Sequence, residues 1–208
     1  MIYDPTSQRQ LYVRLMEELK RRRNVIADVI MSKFSLPQAV AVELCYLQFR
    51  MICELIALAC LTAHGDIPAT RSGKVRKEYR PGTILTALES LHPDFYPFPS
   101  RQVLDPTTGK VLRVERIHAD YLTKDELIAL WTECGNVLHR GSMNNIERPF
   151  IVDFKRIAEW DAKITRFLSH HQIQLFDERY QLWVIMQAHD DGKVRATLMR
   201  KTLPSSGG

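Results

Sequence analysis

The sequence predicts a mainly α-helical protein, an antiparallel helical bundle with a long αα-hairpin and two peripheral β-hairpins, one inserted and one C-terminal. Two long N-terminal segments carry apolar residues at helical spacing, and a short break separates them. Two later segments, residues 101–117 and 181–199, have strand-like apolar patterns on either side of turn sequences that contain glycine. Long helices joined by a short connection pack side by side, so these patterns favour a bundle that carries hairpins.

The length of 208 residues fits one domain. We expect an α-helical bundle over residues 1–170, with the inserted hairpin near residues 101–117. A C-terminal hairpin over residues 171–202 is expected to pack on the same domain, followed by a flexible tail over residues 203–208. Hydrophobic residues at 45% and charged residues at 25% are ordinary for a soluble globular protein.

The two N-terminal helices form the predicted αα-hairpin. The first begins near Asp4 and Pro5, because Asp suits the N-cap position and Pro the first helical position. Residues 34–38 break the apolar pattern, and the second helix runs from there to about His64. Apolar residues lie on nearly all sides of this second helix, which is typical of a helix at the centre of a fold.

Shorter elements follow the αα-hairpin. Residues 67–82 are predicted to form a loop that is rich in basic side chains. Thr123 with Glu126 three residues later is a capping-box pattern, and it opens a helix that ends near His139. A further helix is predicted to begin at about residue 147.

The charge and hydropathy of the chain indicate a cytoplasmic protein. The formal net charge is +5 and the isoelectric point about 9.1, a mild basic bias. The N-terminal residues lack the basic and apolar pattern of a secretion signal. The most apolar run, residues 55–63, is too short to span a bilayer, so no membrane partner is expected.

No metal and no cofactor are expected. The four cysteines lie within apolar helical patterns and lack the close paired spacing of a zinc site, so reduced and buried thiols are predicted at Cys45, Cys53, Cys60 and Cys134. The adjacent His170 and His171 are expected to lie exposed at a helix end.

A polar stripe interrupts the apolar second helix. Glu43, Arg50 and Glu54 are spaced by seven and four residues, so they lie within about 40° around the helix axis. Arg50 and Glu54 can form an ion pair at this spacing. Two interpretations remain open. The stripe is either part of an interhelical ion network, or one wall of a polar groove, with Asn136, that holds a ligand or a catalytic group.

His139 and Arg140 lie side by side where the helix after Thr123 ends. In one interpretation they are cations at a helix C-terminus, where the helix dipole favours positive charge. In the other interpretation they are a catalytic pair, His139 as general acid or base and Arg140 as a cation for a phosphate.

A long αα-hairpin followed by a helix that ends in a histidine before a small loop resembles the HEPN superfamily of helical bundles. Active members carry an arginine a few residues before the histidine, and they cleave RNA as dimers without a metal ion. The resemblance implies that His139 is the family's histidine. The preceding positions hold Glu133, Cys134 and Gly135, so Arg140 or Arg50 would have to replace the motif arginine.

A basic cluster in the loop after the second helix is the predicted contact with a nucleic acid. Flexible basic loops bind phosphate backbones without reading sequence, although a solvated loop has the same composition. The cluster comprises Arg71, Lys74, Arg76, Lys77 and Arg80.

The leading functional hypothesis is a HEPN-like, homodimeric helical protein that binds or cleaves RNA, or binds another polyanion, without a metal ion. One alternative is a non-catalytic protein-interaction or dimerisation module of the same fold. Another is small-molecule binding in the polar groove of the bundle.

Overall fold

A computed structural model describes residues 5–139 and 150–201. Its helices are α1 (Pro5–Ile30), α2 (Gln38–Ala63), a 3-10 turn (Pro68–Arg71), the one-turn α3 (Gly73–Arg76), α4 (Pro81–Leu91), α5 (Lys124–Leu138) and α6 (Phe154–Leu168). Its strands are β1 (Phe98–Leu104), β2 (Val111–Arg116), β3 (His170–Gln174), β4 (Tyr180–Ile185) and β5 (Arg195–Arg200).

The predicted fold class, a mainly α bundle with two peripheral hairpins, is wrong. The described strands form one antiparallel five-stranded sheet, curled into a half-barrel, in the order β2-β1-β3-β4-β5. The two predicted hairpins exist as β1–β2 and β4–β5, but β3 pairs with both of them and joins them. The protein is therefore a mixed α/β structure, in which the helices pack with a continuous sheet.

Strand β3 escaped prediction because its sequence has no strand pattern. Four of its five residues are polar, HHQIQ, and all five are buried. The alternation of buried and exposed residues that marks a strand is therefore missing. In the sheet, Gln172 lies opposite Phe98 of β1 on one side and Trp183 of β4 on the other.

Several local predictions are confirmed. Helices α1 and α2 form the αα-hairpin. The capping box at the start of α5 has both of its hydrogen bonds, between Thr123 and Glu126. The turns of the two hairpins contain Gly109 and Gly192, each with a positive φ that glycine adopts at low cost.

The helix predicted from residue 147 begins later. Helix α6 starts at Phe154, where the Asp153 side chain accepts a hydrogen bond from the Arg156 backbone N–H as an N-cap. Arg140, within residues 140–149, and the predicted tail, residues 203–208, lie outside the described residues.

Helix α2 is central, as its apolar sequence predicts, and it contacts α1, α4, α5 and α6. By length and composition α2 is the one described helix that could cross a membrane. However, 67% of its most apolar window is buried inside the fold, which is consistent with a soluble protein.

Helix α1 is tied to the far end of the sheet by side-chain hydrogen bonds. Glu17 accepts a bond of 2.7 Å from the backbone N–H of Val194, and Lys20 donates to the carbonyl oxygens of Met186 and Gly192. These bonds fix the β4–β5 hairpin against the αα-hairpin.

Candidate functional site

Arg50, on α2, holds its guanidinium against α5. The guanidinium carbon lies 4.9 Å from the centroid of the Trp131 ring, and Nε lies 3.4 Å from Oε1 of Glu54. The same Glu54 oxygen accepts a hydrogen bond of 3.1 Å from Nε1 of Trp131. The aromatic face and the carboxylate together fix the position of the cation.

The Nη1 atom of Arg50 faces the last turns of α5. A Cβ atom on Gly135 would lie 3.8 Å from it. His139 is the C-cap residue of α5, and its backbone N–H donates to the Gly135 carbonyl over 2.9 Å. His139 is exposed and stands one helical turn beyond Gly135, about 6 Å along the axis and on the same face. Along the axis of α5, the Arg50 guanidinium therefore lies about one helical turn before His139.

The same face of α5 reaches the end of the basic loop. Ile128, Gly135 and His139 are separated by seven and four residues, so they lie within about 40° around the axis. A Cβ atom on Gly82, the last residue of the predicted loop and part of the first turn of α4, would lie 4.0 Å from Cγ2 of Ile128. The end of the loop and the Arg50 guanidinium are therefore about 10 Å apart along one strip of α5.

The other two residues of the predicted polar groove, Glu43 and Asn136, do not join the Arg50–Glu54 pair. Glu43 is half-buried on α2, and no described residue forms an ion pair with it. Asn136 is exposed on α5, about 100° around the helix from Gly135. The structure thus brings Arg50 and Glu54 together and leaves Asn136 outside the strip that Arg50 faces.

The Glu133 carboxylate has a structural role. Its Oε1 accepts a hydrogen bond of 2.6 Å from the Tyr46 hydroxyl, and its Oε2 accepts from Arg156 at 3.1 Å and Trp160 at 3.3 Å. The carboxylate links α2, α5 and α6, and its two oxygens are occupied by these donors. No signal in the sequence marked this residue as a junction.

The basic loop offers fewer cations than its sequence suggests. Lys77 and Arg80 are exposed, and Arg71 is half-buried. Arg80 pairs with Glu78 at 2.9 Å, and this contact lowers the pKa of the Glu78 carboxyl to about 2. Because Glu78 stays ionised beside it, Arg80 adds less positive potential than Lys77 does. The side chains of Lys74 and Arg76 lie outside the description.

All four cysteines are free and buried, which confirms the predicted packing role. Burial raises the pKa of the Cys45 and Cys134 thiols to about 12, so both stay protonated and unreactive at neutral pH. Within the described ranges, no group of three or more His, Cys, Asp and Glu side chains could hold a metal ion.

The prediction that His170 and His171 are exposed is wrong, because both are buried in β3. The Nδ1–H group of His171 donates to the Leu168 carbonyl at 2.9 Å, and Nε2 accepts from the Tyr12 hydroxyl at 2.8 Å. Burial lowers the pKa of His171 to about 4. The ring is therefore neutral, with both nitrogens hydrogen-bonded, and it joins α1 to β3.

A serine–histidine pair lies nearby. The Ser100 hydroxyl and Nδ1 of His170 form a hydrogen bond of 2.6 Å, beside a groove of about 590 Å³ between α6 and the sheet. Burial lowers the pKa of His170, so the ring is neutral. Among the described residues no carboxylate contacts this histidine, and the orienting member of a nucleophilic triad is lacking. The pair joins β1 to β3.

Comparison with protein-family models, with curated proteins and with solved structures finds no match for this chain. The described residues form a mixed α/β protein in which the Arg50 guanidinium, paired with Glu54, lies against one face of α5. Its function has to be argued from the chemistry of such surfaces.

Proposed function

We propose that this protein is a cytoplasmic, HEPN-like RNA-binding protein that cleaves RNA without a metal ion. The observation that supports the proposal is the position of the Arg50 guanidinium, beside Gly135 and one helical turn from His139. In the family that the helical part resembles, arginine and histidine come from one motif. In this protein they come from α2 and α5.

The two side chains have the chemistry that metal-free cleavage needs. His139 takes the proton of the 2′-hydroxyl, whose oxygen attacks the adjacent phosphorus. The bond from phosphorus to the 5′-oxygen breaks and leaves a 2′,3′-cyclic phosphate. His139 then gives the proton to the departing 5′-oxygen. Arg50 stabilises the negative charge that builds up on the phosphate oxygens.

The basic loop extends the surface that RNA would contact. Its last residues lead into Gly82, which packs on the same face of α5 as Arg50. Lys77 and Arg80 are the exposed cations of this segment whose side chains are described. Contacts from such cations to phosphates are independent of base sequence and weaken with salt.

A homodimer is part of the proposal. The tip of the αα-hairpin exposes five large apolar side chains within eleven residues, Ile30, Met31, Phe34, Leu36 and Val40. Soluble monomers rarely expose such a cluster, and a second copy of the chain would cover it. The same cluster favours the second candidate function, a dimerisation module without catalysis. A ligand between Glu43 and Glu54 has less support, because Glu54 already contacts Arg50 and Trp131.

The test is cleavage of a labelled, structured RNA by the purified protein in EDTA. We expect the wild-type protein to cut, His139→Ala to lose cutting while RNA affinity stays within about twofold, and Arg50→Gln to weaken both. RNA affinity should fall with rising salt, with a slope set by the number of phosphate contacts. Light scattering on the same samples reports the assembly state.

Two matched substitutions control for surface effects. His118→Ala removes an exposed histidine, and Arg21→Ala removes an exposed arginine of α1; neither should change cutting. If His118→Ala and His139→Ala have the same effect, the site is wrong. If RNA is bound but not cut, the strip on α5 is a binding surface, and if RNA is not bound, the dimerisation module becomes the leading function.

A further inference from the structure

A cavity of about 490 Å³ lies at the opposite end of α2 from the hairpin tip. Its walls come from the first turns of α1, the C-terminal end of α2, and strands β4 and β5. Cavities of this size hold small organic molecules. It involves neither Arg50 nor His139, so whatever it binds is separate from the proposed RNA site.

The cavity has an apolar body. Tyr12, Leu175, Leu182 and Leu198 line it, together with the ring of Tyr180. Tyr12 and Leu182 are buried in the core, so this part of the wall is rigid. An apolar side of a ligand would gain free energy by leaving water for this surface.

Asp66 supplies the polar contact. It lines the cavity just after α2 ends, and no described residue forms an ion pair with it. Its Oδ1 atom is shut off from solvent and accepts no hydrogen bond. Buried carboxylate oxygens normally accept hydrogen bonds, so the protein leaves this carboxylate without one of its usual partners. A donor in the cavity cannot reach Oδ1 as it stands, so a ligand would bind the carboxylate after the side chain turns toward the cavity.

The surroundings of Asp66 favour a cation. The C-terminal end of α2, with Thr62 and Ala63 in the wall, carries the negative end of a helix dipole. Asp177 also lines the cavity, but its ion pair with Arg179 at 2.6 Å offsets its charge, so Asp66 is the carboxylate that favours a cation. Arg9 is the cation of the wall, and it is exposed at the rim.

We propose that this cavity binds a small amphipathic amine, whose ammonium group contacts Asp66 and whose apolar part packs on Tyr12 and the leucines. An ammonium group provides hydrogen-bond donors and a positive charge, and no described residue supplies these to the Asp66 carboxylate. A tyrosine ring beside the ammonium adds a cation–π attraction.

Three probes of matched shape test this proposal by calorimetric titration of the full chain: 2-phenylethylamine, 2-phenylethanol and 3-phenylpropionate. We expect the amine to bind at least about tenfold more tightly than the alcohol, and the carboxylate to bind most weakly. Asp66→Asn should remove the advantage of the amine and leave the affinity for the alcohol within about twofold. Asp94→Asn, at an exposed position outside the cavity, is the matched control.

If 3-phenylpropionate binds most tightly, the positive charge of Arg9 determines which ligand the cavity prefers, and the proposal is overturned. Equal binding of the amine and the alcohol, no binding of any probe, or an unchanged amine affinity in Asp66→Asn would also overturn it. The comparison of the three probes on the unaltered chain does not depend on how well the variant folds.

Discussion

Single polar side chains join the helices of this protein to its sheet. His171 connects Leu168 at the end of α6 with Tyr12 of α1, and Ser100 and His170 connect β1 with β3. These groups are buried, so each bond also satisfies a polar atom that water cannot reach. Substitution or protonation of such residues is expected to destabilise the fold, because water cannot solvate a charge that is created there.

His171 should make stability depend on pH. Its pKa is lowered by burial from 6.5 to about 4, so between these values the unfolded chain binds a proton that the folded chain does not. The contribution of the neutral His171 ring to the free energy of unfolding is therefore fully present above about pH 6.5. The free energy of unfolding falls by about 3 kcal/mol as the pH drops to about 4. Urea unfolding at a series of pH values measures this loss.

His171→Gln should reduce the pH slope, whatever it does to the overall stability. Some slope will remain, because burial also lowers the pKa of His64 and His170. His118→Gln, at an exposed position, should leave the slope of the wild-type protein unchanged. An unchanged slope in His171→Gln would show that this ring does not titrate as its burial requires.

At the scale of single elements, local hydrogen bonds decide where helices begin. The Thr123 hydroxyl accepts from the Glu126 backbone N–H at 3.2 Å, and the Glu126 carboxylate accepts from the Thr123 backbone N–H at 3.1 Å. Both partners lie within four residues of sequence, so this start is encoded locally. It fixes the first turn of α5, the helix that carries the proposed catalytic histidine at its other end.

Thr123→Ala should destabilise the protein by about 1 kcal/mol, because the cap is lost and a helical N–H is left without its partner. Thr132→Ala, the same change in the middle of α5, should be neutral or slightly stabilising, since Ala is the better helix former. Chemical denaturation of the two variants compares them directly. Equal losses would mean that the hydroxyl of Thr123 does not act as a cap.

At the scale of the whole molecule, side-chain hydrogen bonds join the helices to the sheet, and we expect the two to unfold together. Bonds from Tyr12, Glu17 and Lys20 of α1 reach β3, the start of β5 and the turn before it. They are placed along more than two turns of α1, so the helix and the sheet hold each other in register.

Hydrogen exchange followed by mass spectrometry should therefore show a shared global opening. We expect peptides from α2 and from β3 to reach their strongest protection with the same dependence on denaturant. Lys20→Met should weaken protection in the β4–β5 hairpin first, because it removes both carbonyl contacts made by Lys20. A sheet that loses protection well before α2 in the wild-type protein would show two independent units.

The sequence by itself determined the local elements of this protein. The αα-hairpin, the two β-hairpins and the cap of α5 follow from periodicity, turn residues and side chains within a few positions of one another. The sequence also placed Glu54 four residues after Arg50, where the two can pair, and it marked His139 as the end of a helix.

Only the tertiary structure decided how these elements combine. The two histidines of β3 are accommodated in the core because Ser100 and Tyr12, 70 and 159 residues away from them in the chain, form hydrogen bonds with their rings. Two further features depend on helices and strands that are distant in the chain. One is the position of Arg50 on the face of α5 that leads to His139, and the other is the cavity beside Asp66. Periodicity indicates which faces of the helices are buried, but the donors, acceptors and charges that meet in the core are set by packing.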